Sequence, residues 1–161
     1  SKRDSDNPRY LSAMLELGSD LALLGKRDEA MSLLRGAHKH ATRNLHTAEA
    51  FWSMKKLVEV YREQGNAKDA DTVARESYQR FREALGANHK NSLGAAEELA
   101  DLYLPSRASE IVDFIRNHLV AVELQSSEIG PDRLRAMRLL GRALHQLPEG
   151  QAEAETIFKK V

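Results

Sequence analysis

The stretch Met14-Leu-Glu-Leu17-Gly18-Ser-Asp-Leu21, the Gly25-Lys26 break after it and the following Ala30-Met-Ser-Leu33-Leu34 decide how this chain folds. Met14, Leu17, Gly18 and Leu21 are separated by steps of three, one and three, which sets them along one stripe of a helix. Gly25 supplies the left-handed conformation that ends a helix. Ala30, Leu33, Leu34 and Ala37 then make an apolar stripe on a second helix. Two stripes joined by a short turn form a helical hairpin with a single apolar seam.

The first-helix signature recurs in Met54, Leu57, Val58 and Tyr61, in Ala96, Leu99, Ala100 and Tyr103, and in Met137, Leu140, Gly141 and Leu144. Its leucines, from Leu17 to Leu57, Leu99 and Leu140, are 40, 42 and 41 residues apart. A constant spacing of this length marks a stacked repeat. Partner helices follow. Gly65-Asn66 leads to Ala70, Val73, Ala74, Ser77 and Tyr78, and Pro148-Glu149-Gly150 leads to Ala154, Ile157 and Phe158. The third unit is degenerate: Pro105 stands in its turn, and Ile111, Phe114, Ile115 and Leu119 keep only the helical spacing. A small residue early in a second helix lets two backbones cross closely.

These residues resemble the tetratricopeptide motif, with Leu17-Gly18-x-x-Leu21 through Ala30 and Leu34 as the best copy. A period near 41 exceeds the usual ~34 residues and falls in the range of HEAT and armadillo repeats. The signature residues select the tetratricopeptide type, in the longer variant of kinesin light chains and related bacterial and fungal proteins. A HEAT-like stack and an irregular bundle are the alternatives. Ala84-Leu-Gly-Ala-Asn-His89-Lys-Asn-Ser-Leu93 and Ile129-Gly-Pro-Asp132 look like that variant's inter-repeat linkers. The resemblance implies an all-α fold, a right-handed α-α superhelix of about four hairpins with no strands. The units span about 8–44, 47–85, 90–126 and 131–161 of one domain, 1–161. The spacing predicts helices over 8–24, 27–44, 47–64, 67–85, 90–104, 108–126, 131–147 and 151–161, with Pro8 and Pro131 in first turns. The polar start and the helical pattern running to the last residue read as a segment of a longer protein.

Lys+Arg and Asp+Glu both number 24, so the net charge is zero. A neutral chain lacks the electrostatic footprint of a nucleic-acid binder or a polybasic membrane dock. The sequence has no Cys and therefore neither a disulfide framework nor a thiolate metal site. No apolar run approaches the ~18 residues that span a bilayer. The expected location is cytoplasmic. No G-x-S-x-G, Walker loop, G-x-G-x-x-G or H-E-x-x-H occurs, so the chain reads as non-catalytic and cofactor-free. His38 and His40 are two apart and point roughly 200° from each other on a helix, which denies them a shared metal ion. They read as solvated histidines at a helix end.

The resemblance also implies that first helices line a concave groove. The positions flanking the apolar stripe are then Trp52, Lys55, Glu59 and Arg62 in the second unit, Gly94, Glu97 and Asp101 in the third, and Arg135, Arg138, Arg142 and His145 in the fourth. Steps of three and four keep each set on one face. Three arginines on one stripe suit an acidic segment or a phosphate, or else they pair with the acidic helix before them. Trp52, off the stripe, is an exposed anchor or packs under a neighbour. The first unit's groove positions hold Leu15 and Ser19, which lack the Lys/Asn/Arg clamp that grips a chaperone tail. The expected function is binding of a protein or peptide, with no nucleic acid and no membrane. The alternatives are a regulatory or sensor segment of a larger protein, and self-assembly as a homodimer through the C-terminal helix at Ile157 and Phe158.

Overall fold

The computed structural model describes residues 7–44, 46–125 and 130–160. Among them eight α-helices follow one another: α1 (Pro8–Leu23), α2 (Arg27–Arg43), α3 (Thr47–Glu63), α4 (Ala67–Leu85), α5 (Lys90–Tyr103), α6 (Ala108–Gln125), α7 (Pro131–His145) and α8 (Gln151–Phe158). A 3-10 turn at Pro148–Gly150 precedes α8. No strand occurs among the described residues. Every helix starts where the periodicity placed it, and among the described residues the ends fall at most three residues short. Ser126, Ile129 and Val161, which the sequence reading put in helix ends and a linker, lie outside the described residues.

Local chemistry explains the ends. Asn7 caps α1, its Oδ1 accepting from the Arg9 N–H at 3.0 Å, and Pro8 takes the first helical position, where its missing N–H costs nothing. Pro131 does the same in α7. Gly25 and Gly65 have φ of 74° and 70°, and each closes its helix with a bond from the next residue back across the turn, Lys26 N–H to Leu21 O at 2.9 Å and Asn66 N–H to Tyr61 O at 2.8 Å. At the start of α5 the His89 ring accepts from the Asn91 N–H at 3.1 Å.

The chain divides into two compact units, Ser1–Ser77 and Tyr78–Val161, with the division inside α4. In the first unit α1 packs on α2, and α3 lies against both. Its core holds Leu11, Leu34, Met54, Leu57 and Val58, all buried. Gly18 is where α1 and α2 meet: a Cβ there would stand 2.9 Å from the Leu34 side chain. Arg35 Nε donates to the Tyr61 hydroxyl at 2.9 Å and ties α2 to α3.

One stripe residue departs from expectation. Leu57, Leu99 and Leu140 are 1%, 1% and 6% exposed, whereas Leu17 is 52% exposed. Leu57 lies on α3, which packs against α1 and α2, and it is buried. In contrast, α1 is held by α2 and α3, and its inward face is Leu11, Leu15 and Gly18. Tyr10, Leu17 and Leu24 lie seven apart on the uncovered side, at 48%, 52% and 74% exposure.

In the second unit α5 packs on α6 and α7, and α7 also packs on α6 and α8. Leu93, Leu99, Tyr103, Ile111, Ile115 and Leu144 form its core. Phe158 lies across Gly141, where a Cβ would come within 2.7 Å of the ring. The outer face expected from Ile157 and Phe158 is therefore partly used within the unit, with Phe158 46% exposed. Gly150 sits so close to α7 that a Cβ would run into the Leu144 carbonyl oxygen. Backbone cannot yield as a flexible side chain can, so Gly150→Ala is expected to destabilise the chain by about 1–3 kcal/mol. Thermal unfolding monitored by circular dichroism measures this, and an unchanged midpoint would contradict the close approach.

Candidate functional site

A cleft lies in each unit, with Trp52 lining the first and Arg142 and His145 the second. In the first unit the cleft has a volume of about 540 Å³ and lies between α1 and α3. Ser12, Leu15, Glu16, Ser19 and Asp20 line it from α1, and Glu49, Trp52 and Lys56 from α3. Trp52 is 56% exposed, with its ring edge-on to Phe51 at 6.0 Å between centroids. Leu15 is buried in the floor, and Ser19 returns its hydroxyl to Leu15 O at 2.8 Å.

Of the four positions expected on α3, only Trp52 faces this cleft. Lys55 leans over the Phe51 ring at 6.0 Å, Glu59 receives Lys56 Nζ at 2.9 Å, and Arg62 is exposed. The cleft takes Glu49, Trp52 and Lys56, again steps of three and four, but on a strip rotated from the one expected. Glu49 was legible as a neighbour of Trp52 by that same spacing.

In the second unit a cleft of about 470 Å³ is lined by Asp101 of α5 with Leu104 and Pro105 after it, by Arg142 and His145 of α7 with Gln146 after it, and by Glu155 and Phe158 of α8. It brings together Arg142 and His145 from the expected set and adds an apolar wall the sequence did not suggest. The arginine stripe is not bare. Arg135 Nη2 donates to Glu97 Oε2 at 2.8 Å and Arg142 Nη2 to Asp101 Oδ1 at 2.8 Å, so α7 is laced to the acidic face of α5. Arg135 also lies 3.6 Å from Asp132, and Arg138 is exposed. All of these pairs are substantially exposed, so each contributes little to stability, about 0–1 kcal/mol.

Two buried polar pairs lie away from the clefts. Ser53, fully buried, donates to Ala50 O at 2.9 Å, and its oxygen lies 2.9 Å from His38 Nδ1. His38 is thus half-buried and tied to α3, where a solvated helix end was expected. A serine buried in this way and turned onto its own helix presents no nucleophile to a substrate. In the second unit the Tyr78 hydroxyl lies 3.0 Å from His118 Nδ1. Burial, with the Arg82 charge adding to it, pushes the His118 pKa down to about 4. Burial raises that of Tyr78, against the opposing pull of Arg82. His118 Nε2 is buried without a hydrogen-bond partner. Among the described residues no group of His, Asp and Glu could hold a metal ion, and no helix is long and apolar enough to cross a membrane.

Residues 52–90, from α3 through α4 and the following linker, match a tetratricopeptide repeat family model. Two solved structures of nearly identical TPR-like repeats from a kinesin light chain-like protein of Podosopora anserina are similar to the chain, one of them carrying a single substitution. Each is 21% identical, with TM-scores of 0.71 and 0.72, and the match covers 96% of this chain and 74% of theirs. This likeness fixes the fold as an all-α helical repeat of tetratricopeptide type. No curated protein matches the sequence.

Proposed function

We propose that this tetratricopeptide-type repeat chain is a non-catalytic scaffold that binds another protein or peptide through the exposed sides of its first helices. The observation that carries the reading is Trp52, a large aromatic 56% exposed in a cleft of about 540 Å³. A tryptophan held open beside polar neighbours gives a partner much contact area for little loss of side-chain freedom. Lys55, Glu59 and Arg62 flank the same helix. In the second unit Arg135, Arg138, Arg142 and His145 offer a further contact strip. An acidic segment of the partner would exchange with Glu97 and Asp101 for these guanidiniums, since exposed ion pairs are weak enough to trade.

Partner capture from a native lysate tests the reading. The unmodified chain is compared with Trp52→Ala and with Arg135→Glu/Arg138→Glu/Arg142→Glu. Loss of one partner in either variant, with circular dichroism unchanged, is the expected result. Identical partners on all three would remove both surfaces from consideration.

A further inference from the structure

We infer that the Trp52 cleft binds a cationic side chain, lysine or arginine, carried on an extended peptide with apolar neighbours. The inference rests on the scaffold reading and names the chemistry of one of its surfaces. Three carboxylates line the cleft beside the exposed indole: Glu16 and Asp20 from α1 and Glu49 from α3. None of the three is ion-paired among the described residues. This sets them apart from Glu97 and Asp101, whose charges arginines of α7 already meet at 2.8 Å. The cation among the lining residues, Lys56, is engaged by Glu59 at 2.9 Å.

The cleft therefore combines an exposed indole, uncompensated negative charge and the apolar Leu15. A guanidinium or ammonium over the indole face is attracted by the ring quadrupole, and carboxylates at the rim strengthen the attraction. An alkyl stem or an aliphatic neighbour of the cation fits against Leu15. An acidic peptide meets like charge at the same rim. A volume of about 540 Å³ suits one or two side chains and not a whole helix. Glu16 and Asp20 are one helical turn apart, and Glu49 and Trp52 are three residues apart, so two rigid helices hold the four groups in place.

Trp52 is the only tryptophan in the chain, so its fluorescence reports on this cleft alone. The probe is a short acetylated and amidated peptide of alternating leucine and arginine, titrated at low ionic strength. Matched peptides carry glutamine or glutamate in place of arginine. The arginine peptide is expected to shift or quench the emission saturably, and the other two are not. Glu16→Gln/Asp20→Asn/Glu49→Gln, which alters charge with little change of shape, is expected to weaken binding by about tenfold or more, as is a rise to high salt. Equal binding of the arginine and glutamine peptides, or no loss in the neutralised variant, overturns the inference. The scaffold reading is judged separately: if lysate partners depend on Trp52→Ala while all three peptides fail to bind, only the cation assignment falls.

Discussion

Leu57→Ala is expected to lower the free energy of unfolding by about 3 kcal/mol, and Leu17→Ala by less than about 1 kcal/mol. The two leucines occupy the same register, 40 residues apart on α1 and α3. Sequence assigns them one role, but packing does not. Leu57 is 1% exposed, so truncation removes its buried methyl groups and leaves a cavity that rigid helices close only in part. Leu17 already meets water over half its surface, so truncation loses less buried area and opens no enclosed space. Urea unfolding of both variants gives the comparison. Equal losses would mean that the outer side of α1 is covered in solution.

The same contrast shows what the sequence could and could not tell. Helix starts were legible because the spacing of three, one and three belongs to a helix alone, and because Pro8, Gly25, Gly65 and Pro131 punctuate it. Burial was legible at Leu57, Leu99 and Leu140, which are buried as the shared signature predicts. Leu17 failed because the signature encodes a contact that its own hairpin does not supply. Ion pairing was half legible. Arg142 and Asp101 are 41 residues apart, one repeat period, and a stacked repeat sets such positions side by side on successive first helices. The alternative that the arginines pair with the preceding acidic helix follows from that register. Glu16 and Asp20 escaped because they belong to α1 and Trp52 to α3. Only the crossing of those helices, not the spacing within either one, puts them in one cleft. Pairing at one period also joins Tyr78 to His118, 40 residues apart. There the degenerate third unit hid the match, because α6 keeps the apolar spacing without the signature residues that fix its register.

That buried pair gives the second large effect, a loss of stability in mild acid. The His118 pKa lies at about 4 when folded, below the usual 6.5, because the ring is sealed from water and stands near the Arg82 charge. Between these values the unfolded chain binds a proton that the folded one refuses, so stability rises with pH across the interval. The contribution is complete above about pH 6.5 and is lost as the pH falls to about 4, a change of about 3 kcal/mol. The Tyr78 hydroxyl is hydrogen-bonded to His118 Nδ1 at 3.0 Å within the same buried site. His118→Asn places a carbonyl oxygen near the Nδ1 position and cannot titrate. Urea unfolding from pH 7 to pH 4 is expected to show a steeper decline for the unmodified chain than for this variant, with the difference confined to that window. Parallel curves would mean that His118 gains a proton without cost, and hence that water or a carboxylate reaches Nε2.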